Sequence, residues 1–272
     1  MVTGSNLVES QRAIDLAKQY PEICYATVGV HPCSTQDFDR YTGGPGKLIA
    51  DLQALVQGAK SEGQVVAFGE IGLDYDRLFL SPKETQLKYF EMQMDLAVEL
   101  QLPLFLHSRA CSPDFENIIR ARLDRLPKRG LVHSFTGTVP ELEALIELGF
   151  DVGINGCSMK TEENLLAVKA VPLDRLQLET DGPWCEIRPS HASSQYLKDG
   201  PAVPKAVKKE KWQKGLMVKG RNEPATIVQV AHVIARVKGI SVEEVCEAAW
   251  RNSTRMFGLG EGGGGGERLS SR

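Results

Sequence analysis

Four residues of types that bind metal ions each follow a short apolar stretch of the chain. Glu70, His107, His133 and Asp181 stand at the ends of runs rich in aliphatic and β-branched residues, as buried strands are. In a parallel barrel the strand ends meet at one mouth, so these side chains are expected to converge there. Carboxylates together with imidazoles suit zinc, manganese or magnesium, and such a site would activate a water for hydrolysis.

A purely structural role is the alternative for each of these residues. A single histidine at a strand end is more often a hydrogen-bonded structural group than a ligand, and His107 or His133 alone would favour that interpretation. The four residues together favour a metal site, because unpaired carboxylates do not belong in an apolar interior.

Other candidates leave two interpretations open. Asp74 and Asp76 are either solvated loop acids or part of the metal site. His31 also follows a strand, although Pro32 after it is typical of a turn. Arg109 could bind a phosphate through two parallel hydrogen bonds or form a structural ion pair.

The order of elements predicts the fold. Strands alternate with single helices whose starts are marked by capping residues such as Asn6, Thr138 and Ser241, and such helices connect parallel strands. Repetition of this unit closes a sheet into a TIM (β/α)8 barrel. About seven strands are recognised, marked by Thr3, Cys24, Val65, Leu102, Leu131, Phe150 and Leu176. The sequence predicts one α/β barrel over residues 1–258 that lacks its first βα unit.

Composition limits the classes of function. A net charge of -3 gives no global attraction to nucleic acid or to membranes, so contact with a polyanion has to rest on a local patch. Six cysteines without a Cys-x-x-Cys pair favour free thiols in a reducing compartment. No apolar run approaches the roughly 20 residues of a membrane span, and no signal peptide is recognised. We expect an intracellular protein, cytoplasmic or nuclear, without membrane contact.

The segment 188–221 forms such a local patch. It contains nine basic residues and two acids, which indicates either a polyanion-binding loop or a solvated loop. Two helices are expected after it, over residues 224–237 and 241–256. Residues 259–272 include five consecutive glycines and are predicted to be a disordered tail.

Six motifs resemble the signature of a known family. In order they are VGVHP at 28–32, GEIGLDY at 69–75, LHSR at 106–109, HSFTG at 133–137, ETDGPW at 179–184 and RNEP at 221–224. Together they are similar to those of the TatD family of metal-dependent deoxyribonucleases, in particular to its eukaryotic branch. The first strand of that family, which in many members delivers a His-x-His pair, has no match in this sequence.

The resemblance implies a fold, an activity and roles for residues. It implies a TIM barrel of the metallo-dependent hydrolase type that hydrolyses phosphodiester bonds in DNA, in some members as a 3′ exonuclease. Glu70 matches the ligand that bridges two metals, His107 and His133 match the imidazole ligands, and Asp181 matches the carboxylate that binds metal or activates water. Glu70 and Asp181 are thereby the expected catalytic residues.

The resemblance also implies a cofactor and a partner. One or two divalent ions are expected per chain, Mg²⁺ first, with Zn²⁺ or Mn²⁺ as alternatives. The expected partner is DNA, single-stranded or with free 3′ ends, and no obligate protein partner is indicated. Arg109, His31 and Arg221 are expected to contact this substrate, together with the basic segment.

Two other functions remain compatible with the sequence. The same site could hydrolyse an amide or an ester, as in an aminoacyl-tRNA deacylase, because a metal-activated water serves acyl transfer equally well. A chain without its first strand could also be an inactive homologue.

Overall fold

A computed structural model describes residues 1–259, and residues 260–272 of the predicted tail lie outside the described residues. Within this range six parallel strands form one sheet, in the order in which they occur in the chain. They are β1 (Ala26–Val28), β2 (Val65–Asp74), β3 (Leu104–Arg109), β4 (Gly130–His133), β5 (Asp151–Ile154) and β6 (Leu176–Leu178). Helices separate them, which is the predicted arrangement of an α/β barrel.

Helices connect and cover the strands. Those of the described residues are α1 (Leu7–Gln19), α2 (Gln36–Arg40), α3 (Gly44–Lys60), α4 (Lys83–Leu100), α5 (Asp114–Arg120), α6 (Val139–Glu147), α7 (Glu162–Ala170), α8 (Ile227–Lys238) and α9 (Val242–Phe257). Asn6 Oδ1 accepts a hydrogen bond from the Glu9 amide at 2.9 Å, and Thr138 and Ser241 form capping boxes. Such caps satisfy amides that have no partner in the first turn, so local sequence determines where these helices begin.

The core lies between the helices and the sheet. On α4 the apolar face that includes Phe90, Met94 and Ala97 is fully buried, and the Phe90 ring stacks on Phe115 of α5 at 5.6 Å between centroids. Full burial of one large apolar side chain stabilises a fold by about 1.5–3 kcal/mol, so these stripes hold the helices on the sheet.

The predicted strand around Thr3 is reduced to a single bridge. Val2 pairs in parallel with Ala26 of β1. The next amide that bonds to β1 is that of Gly4, two residues after Val2. It donates to the side-chain oxygen Thr27 Oγ1 at 3.1 Å and not to a backbone carbonyl, so the ladder ends there. The described chain therefore has six strands and one bridge at the seven predicted positions.

The outer edge of β6 is covered by α9. The Asn252 side chain is 2% exposed, and its Nδ2 donates to the carbonyl oxygens of Leu173 and Leu176, both at 2.8 Å. Ser253 Oγ donates to Gln177 Oε1 at 2.9 Å. Within residues 1–259 no further strand pairs with β6, and these contacts from α9 occupy its edge instead.

The basic segment contains a second sheet that the sequence pattern does not predict. Two parallel strands, β7 (Ala206–Val207) and β8 (Met217–Val218), pair with each other. Strands of two residues are too short to show an alternating pattern. After them, residues 224–226 form a 3-10 turn, so the predicted helix at 224 begins at Ile227.

None of the helices in the described range is by itself long and apolar enough to cross a membrane, whereas the bent pair Pro224–Lys238 and Val242–Phe257, at 113°, meets those criteria of length and composition together.

The contact between α9 and β6 predicts the effect of one substitution. Asn252→Ala leaves two buried carbonyls without a donor and should lower the free energy of unfolding by about 2–4 kcal/mol, measured by urea denaturation. The matched control is Asn117→Ala on the exposed side of α5, expected to change it by less than about 0.5 kcal/mol. Equal stability of the two variants would contradict the role given to Asn252.

Candidate metal centre

Two glycines allow β2 and β3 to approach closely beside the site. A Cβ at Gly69 (φ +151°) would overlap the carbonyl oxygen of Phe105, and one at Gly72 (φ +147°) would overlap that of His107. Both positions therefore require glycine. The register of β2 against β3 shifts between Gly69 and Ile71, which makes Glu70 the additional residue of a bulge. Bulges redirect side chains, and this one presents the Glu70 carboxylate to the ends of the neighbouring strands.

One oxygen of Glu70 faces three imidazoles. Glu70 Oε1 lies 2.6 Å from His133 Nε2, 2.8 Å from His107 Nδ1 and 3.3 Å from His31 Nε2. His107 Nδ1 is also 3.3 Å from the ring nitrogens of both other histidines. The structure thus brings three of the four predicted metal ligands together, and His31 joins them.

Two outer carboxylates hold the rings of this cluster. Asp74 Oδ2 lies 3.2 Å from His107 Nε2, so the Nδ1 of that ring faces Glu70. Glu179 Oε2 lies 3.8 Å from His133 Nδ1 and accepts a hydrogen bond from the Ser134 amide at 2.9 Å. A carboxylate behind a ligand imidazole orients the ring and raises its basicity. For Asp74 this favours the site over the solvated loop, whereas Asp76 is exposed.

Buried charges of opposite sign stabilise one another in the cluster. Burial would raise the pKa of Glu70, but the charge of His133 and hydrogen bonds from the imidazoles hold it well below its usual value. Burial would lower the pKa of His133, yet Glu70 and Glu179 raise it well above its usual value. The pKa of His107 is raised in the same way by Asp74 and Glu70, against the effect of burial. The cluster therefore favours an ionised carboxylate.

Asp181 lies beside the cluster without a hydrogen bond to it among residues 1–259. Burial raises its pKa to about 6, an effect that the charge of His133 opposes and those of Glu179 and Glu70 reinforce. Its loop is fixed by Asn222, whose Nδ2 donates to the Thr180 carbonyl at 2.8 Å and whose amide donates to that of Pro183 at 2.9 Å. Asp181 is thus a buried carboxylate with an unusually high proton affinity next to the imidazoles.

The three residues expected to contact substrate occupy different positions. His31 belongs to the cluster itself. Arg109 is half-buried at the end of β3, and within the described residues it forms no ion pair. Burial would raise the pKa of Asp74, but the hydrogen bond and charge of His107 lower it, and the charge of Arg109 adds to this effect. Arg221 is exposed and adjoins Asn222, outside the cluster.

The expectation of free thiols is wrong for two cysteines. Cys157 and Cys185 form a disulfide across 28 residues, whereas Cys24, Cys33, Cys111 and Cys246 are free. The pair joins the loops that follow β5 and β6, which the parallel strands bring to the same edge. Cys185 Sγ also lies 3.3 Å from Asp181 Oδ2, so the bridge adjoins the site.

Two members of this site have roles that the sequence pattern does not predict. Glu179 stands in the ETDGPW motif, but no local pattern indicates that its carboxylate bonds Ser134 of a different strand. For His31 the sequence predicts a place at a strand end, a possible turn at Pro32 and contact with substrate. The turn is present, as a 3-10 turn over Pro32–Ser34, and it leaves the His31 ring directed to Glu70. The signal available for His31 was its place at the end of β1, the same signal that identified the other three.

The donor set suits a divalent metal ion. His31, Glu70 and His107 each offer a ligand atom, and these atoms lie within 4.8 Å of one another. Three ring nitrogens converge on one carboxylate oxygen, a geometry in which a cation can replace the shared protons. The residues present therefore fit a metal with mixed nitrogen and oxygen ligation.

Fold and site define an α/β-barrel hydrolase with a candidate metal centre at the carboxyl ends of its strands. The chain belongs to the TatD related DNase family, which it matches over residues 1–258, and is accordingly a hydrolase that acts on ester bonds. The predicted family is thereby confirmed.

Relatives agree with this assignment. Deoxyribonuclease Tat-D of Schizosaccharomyces pombe is 51% identical over 258 residues, covering 94% of this chain and 82% of that protein. The protein named 3′-5′ ssDNA/RNA exonuclease TatD of Erwinia tasmaniensis is 34% identical and covers 95% of this chain and 88% of its own. A solved structure described as an uncharacterized amidohydrolase from Saccharomyces cerevisiae is 35% identical with a TM-score of 0.82, over 94% of this chain and 87% of that one. This similarity confirms the α/β barrel.

The close approach of β2 and β3 predicts the effect of a methyl group. Gly69→Ala places a Cβ against the Phe105 carbonyl in a conformation that alanine rarely adopts, and should lower the free energy of unfolding by about 2–4 kcal/mol. Gly58→Ala in α3 adds the same methyl in open space and should stabilise by about 0.5–1 kcal/mol. Thermal denaturation measures both, and a Gly69→Ala variant as stable as the parent would refute the steric account of the bulge.

Proposed function

We propose that this chain is a divalent-metal-dependent nuclease that hydrolyses phosphodiester bonds in single-stranded DNA from the 3′ end. The observation that supports it most directly is the Glu70 oxygen facing three imidazole nitrogens at 2.6–3.3 Å. A purely structural network does not need four ligand-type groups around one point at the mouth of a barrel.

Glu70, His107, His133 and His31 would hold the ion, and Asp181, which is coupled electrostatically to His133 and His107, would offer a further carboxylate. A divalent ion bound there lowers the pKa of a water towards neutrality and offsets the charge that develops on a phosphoryl oxygen. We propose Mg²⁺ as the working ion, with Mn²⁺ and Zn²⁺ compatible with the mixed donors.

The outer carboxylates keep the ligand nitrogens in place. Asp74 binds the Nε2 side of His107 and leaves its Nδ1 towards Glu70, whereas Glu179 lies on the Nδ1 side of His133 and leaves its Nε2. Each ring therefore presents a defined nitrogen to the centre.

Asp181 is the proposed proton acceptor. Its pKa, raised mainly by burial to about 6, leaves it largely ionised at neutral pH while keeping it a stronger base than an exposed aspartate. It would take the proton of the attacking water. The hydrogen bonds from Asn222 to Thr180 and Pro183 hold Asp181 in position for this role.

Arg109 is the proposed contact for the phosphate. Within residues 1–259 its guanidinium has no carboxylate partner within 4.0 Å, so its donors are available for two parallel bonds to phosphate oxygens. Arg221, exposed beside Asn222, would contact a neighbouring phosphate.

The finer description of the substrate rests on relatives. Bacterial proteins of the family that are 32–34% identical to this chain bear the name 3′-5′ ssDNA/RNA exonuclease, which supports a single strand cleaved from its 3′ end. A panel of substrates separates this proposal from acyl hydrolysis: single-stranded DNA, RNA, chromogenic carboxyl esters and chromogenic amides. An acyl hydrolase would cleave only the esters and the amides.

Loss of the central carboxylate predicts loss of metal and of activity. Glu70→Gln removes the negative charge from the point where the imidazoles converge, and should abolish Mg²⁺ binding measured by calorimetry. Cleavage of a labelled single-stranded oligonucleotide should fall by about 100-fold or more, as should cleavage by the parent in EDTA, because such an ion contributes several kcal/mol to the transition state.

The matched control is Glu116→Gln. Glu116 on α5 is buried to the same extent as Glu70, 9% exposed in both cases, and within the described residues its side chain forms no hydrogen bond or ion pair with the cluster. This variant should bind Mg²⁺ and cleave like the parent. Cleavage that persists in both EDTA and the Glu70→Gln variant would reject the metal assignment.

A further inference from the structure

A loop of the basic segment presents an unneutralised positive surface. This lysine loop, residues 205–219, contains six lysines and a single acid, Glu210. All six lysines are exposed, and within the part of the chain that the structure describes none of their ammonium groups forms an ion pair or a hydrogen bond. The lysines are Lys205, Lys208, Lys209, Lys211, Lys214 and Lys219.

The loop also holds an open tryptophan among these lysines. The Trp212 side chain is 52% exposed, and its Nε1 donates to the Leu216 carbonyl at 2.7 Å. The edge of the indole is therefore fixed by the loop itself while half of its surface remains in water. An aromatic ring held this way, between Lys211 and Lys214 in sequence, is suited to stack an unpaired base while the lysines contact phosphates.

The backbone of the loop is ordered by β7 and β8. The Met217 amide donates to the Lys205 carbonyl at 3.0 Å, and the Lys219 amide donates to that of Val207 at 2.8 Å. Met217 is 7% exposed and anchors the loop in the protein. The lysines thus stand on a defined scaffold.

The chain that leaves the loop contacts the segment that carries the proposed proton acceptor, Asp181. Three residues after Lys219, the buried Asn222 bonds the carbonyls of Thr180 and Pro183, which flank Asp181. Trp184, directly after Pro183, is 70% exposed and provides a second open aromatic surface in the loop that follows β6.

We propose that the lysine loop is a docking site for single-stranded nucleic acid. It binds the part of the strand that lies beyond the nucleotide being hydrolysed. Trp212 stacks on a base of that part, and the lysines contact its phosphates. The proposal deepens the proposed nuclease function and rests on it. A single strand is favoured over a duplex because stacking needs an unpaired base. In addition, a groove takes an α-helix or a β-ribbon, and two strands of two residues with one 3-10 turn are too short for either.

The test uses the full chain in EDTA, where binding is measured without cleavage. Binding is measured by fluorescence anisotropy with a labelled oligo-dT of about 20 nucleotides. Trp212→Ala should weaken binding about tenfold, whereas Trp212→Phe, which keeps an aromatic ring, should retain most of the parent's affinity. A duplex of equal length should bind the parent less tightly. Replacing Lys208, Lys209 and Lys211 by Gln should reduce the slope of log affinity against log salt by about 2, since each phosphate contact contributes about 0.7. An oligo-U probe tests RNA alongside DNA.

Matched controls lie at the opposite end of the barrel. Trp250→Ala on α9 removes an indole that is 69% exposed, and Lys128→Gln removes an exposed lysine before β4. Both should bind the oligonucleotides like the parent. Circular dichroism and thermal melting confirm that every variant is folded.

Separate results overturn the two proposals. With Mg²⁺ present, the loss of kcat/KM in the loop variants should be greater on the long oligonucleotide than on one of about 4 nucleotides. Loop variants that bind and cleave like the parent, or a loop that binds anionic vesicles and not oligonucleotides, would overturn the docking site and leave the nuclease intact. A parent that binds single strands through the loop but cleaves none would overturn the nuclease and leave the docking site.

Discussion

A buried carboxylate has to be neutralised by its surroundings, and the site depends on how this chain meets that requirement at Glu70. Its side chain is 12% exposed, and a charge in such a place is costly unless it is paired and hydrogen-bonded. His31, His107 and His133 supply the partners, each from the end of a different strand. The cluster therefore exists only if the sheet has its parallel order, if β2 bulges at Glu70, and if glycines let β3 approach. The site therefore depends on both the sheet and the bulge.

Much of this construction could be predicted from the sequence, because it follows from local signals and one geometric rule. Apolar runs and capping residues locate the strands and helices, and parallel strands must end at one edge, so Glu70, His107, His133 and Asp181 are expected to meet. The first three do, whereas Asp181 forms no hydrogen bond to the cluster within residues 1–259. What could not be predicted depends on contacts between distant residues that leave no periodic pattern. The support of His133 by Glu179, the disulfide between Cys157 and Cys185 and the pairing of β7 with β8 are of this kind. The contact of His31 with Glu70 is not predicted from the sequence, because the proline after His31 is typical of a turn.

Charge is distributed in two zones around the barrel mouth. The interior zone holds carboxylates and imidazoles that compensate one another, as the opposite pKa shifts of Glu70 and His133 indicate. The outer zone includes Arg109 at the end of β3 and the six lysines of the lysine loop, which have no carboxylate partner within 4.0 Å among residues 1–259. The net charge of the chain is -3, so this concentration of cations is local. A polyanion would meet the positive zone first and be directed towards the centre, which is how electrostatic focusing raises the rate of encounter.

The assignment of a metal ion to the point where three imidazoles face Glu70 can be checked most directly by anomalous diffraction from crystals of the active protein grown with Mn²⁺. On this assignment an anomalous peak is expected within about 2.3 Å of the Glu70 carboxylate and of at least one of the imidazole nitrogens that face it. Crystals of a protein that cleaves DNA with Mn²⁺, but in which Glu70 remains hydrogen-bonded to the imidazoles and the anomalous peak lies elsewhere, would contradict it.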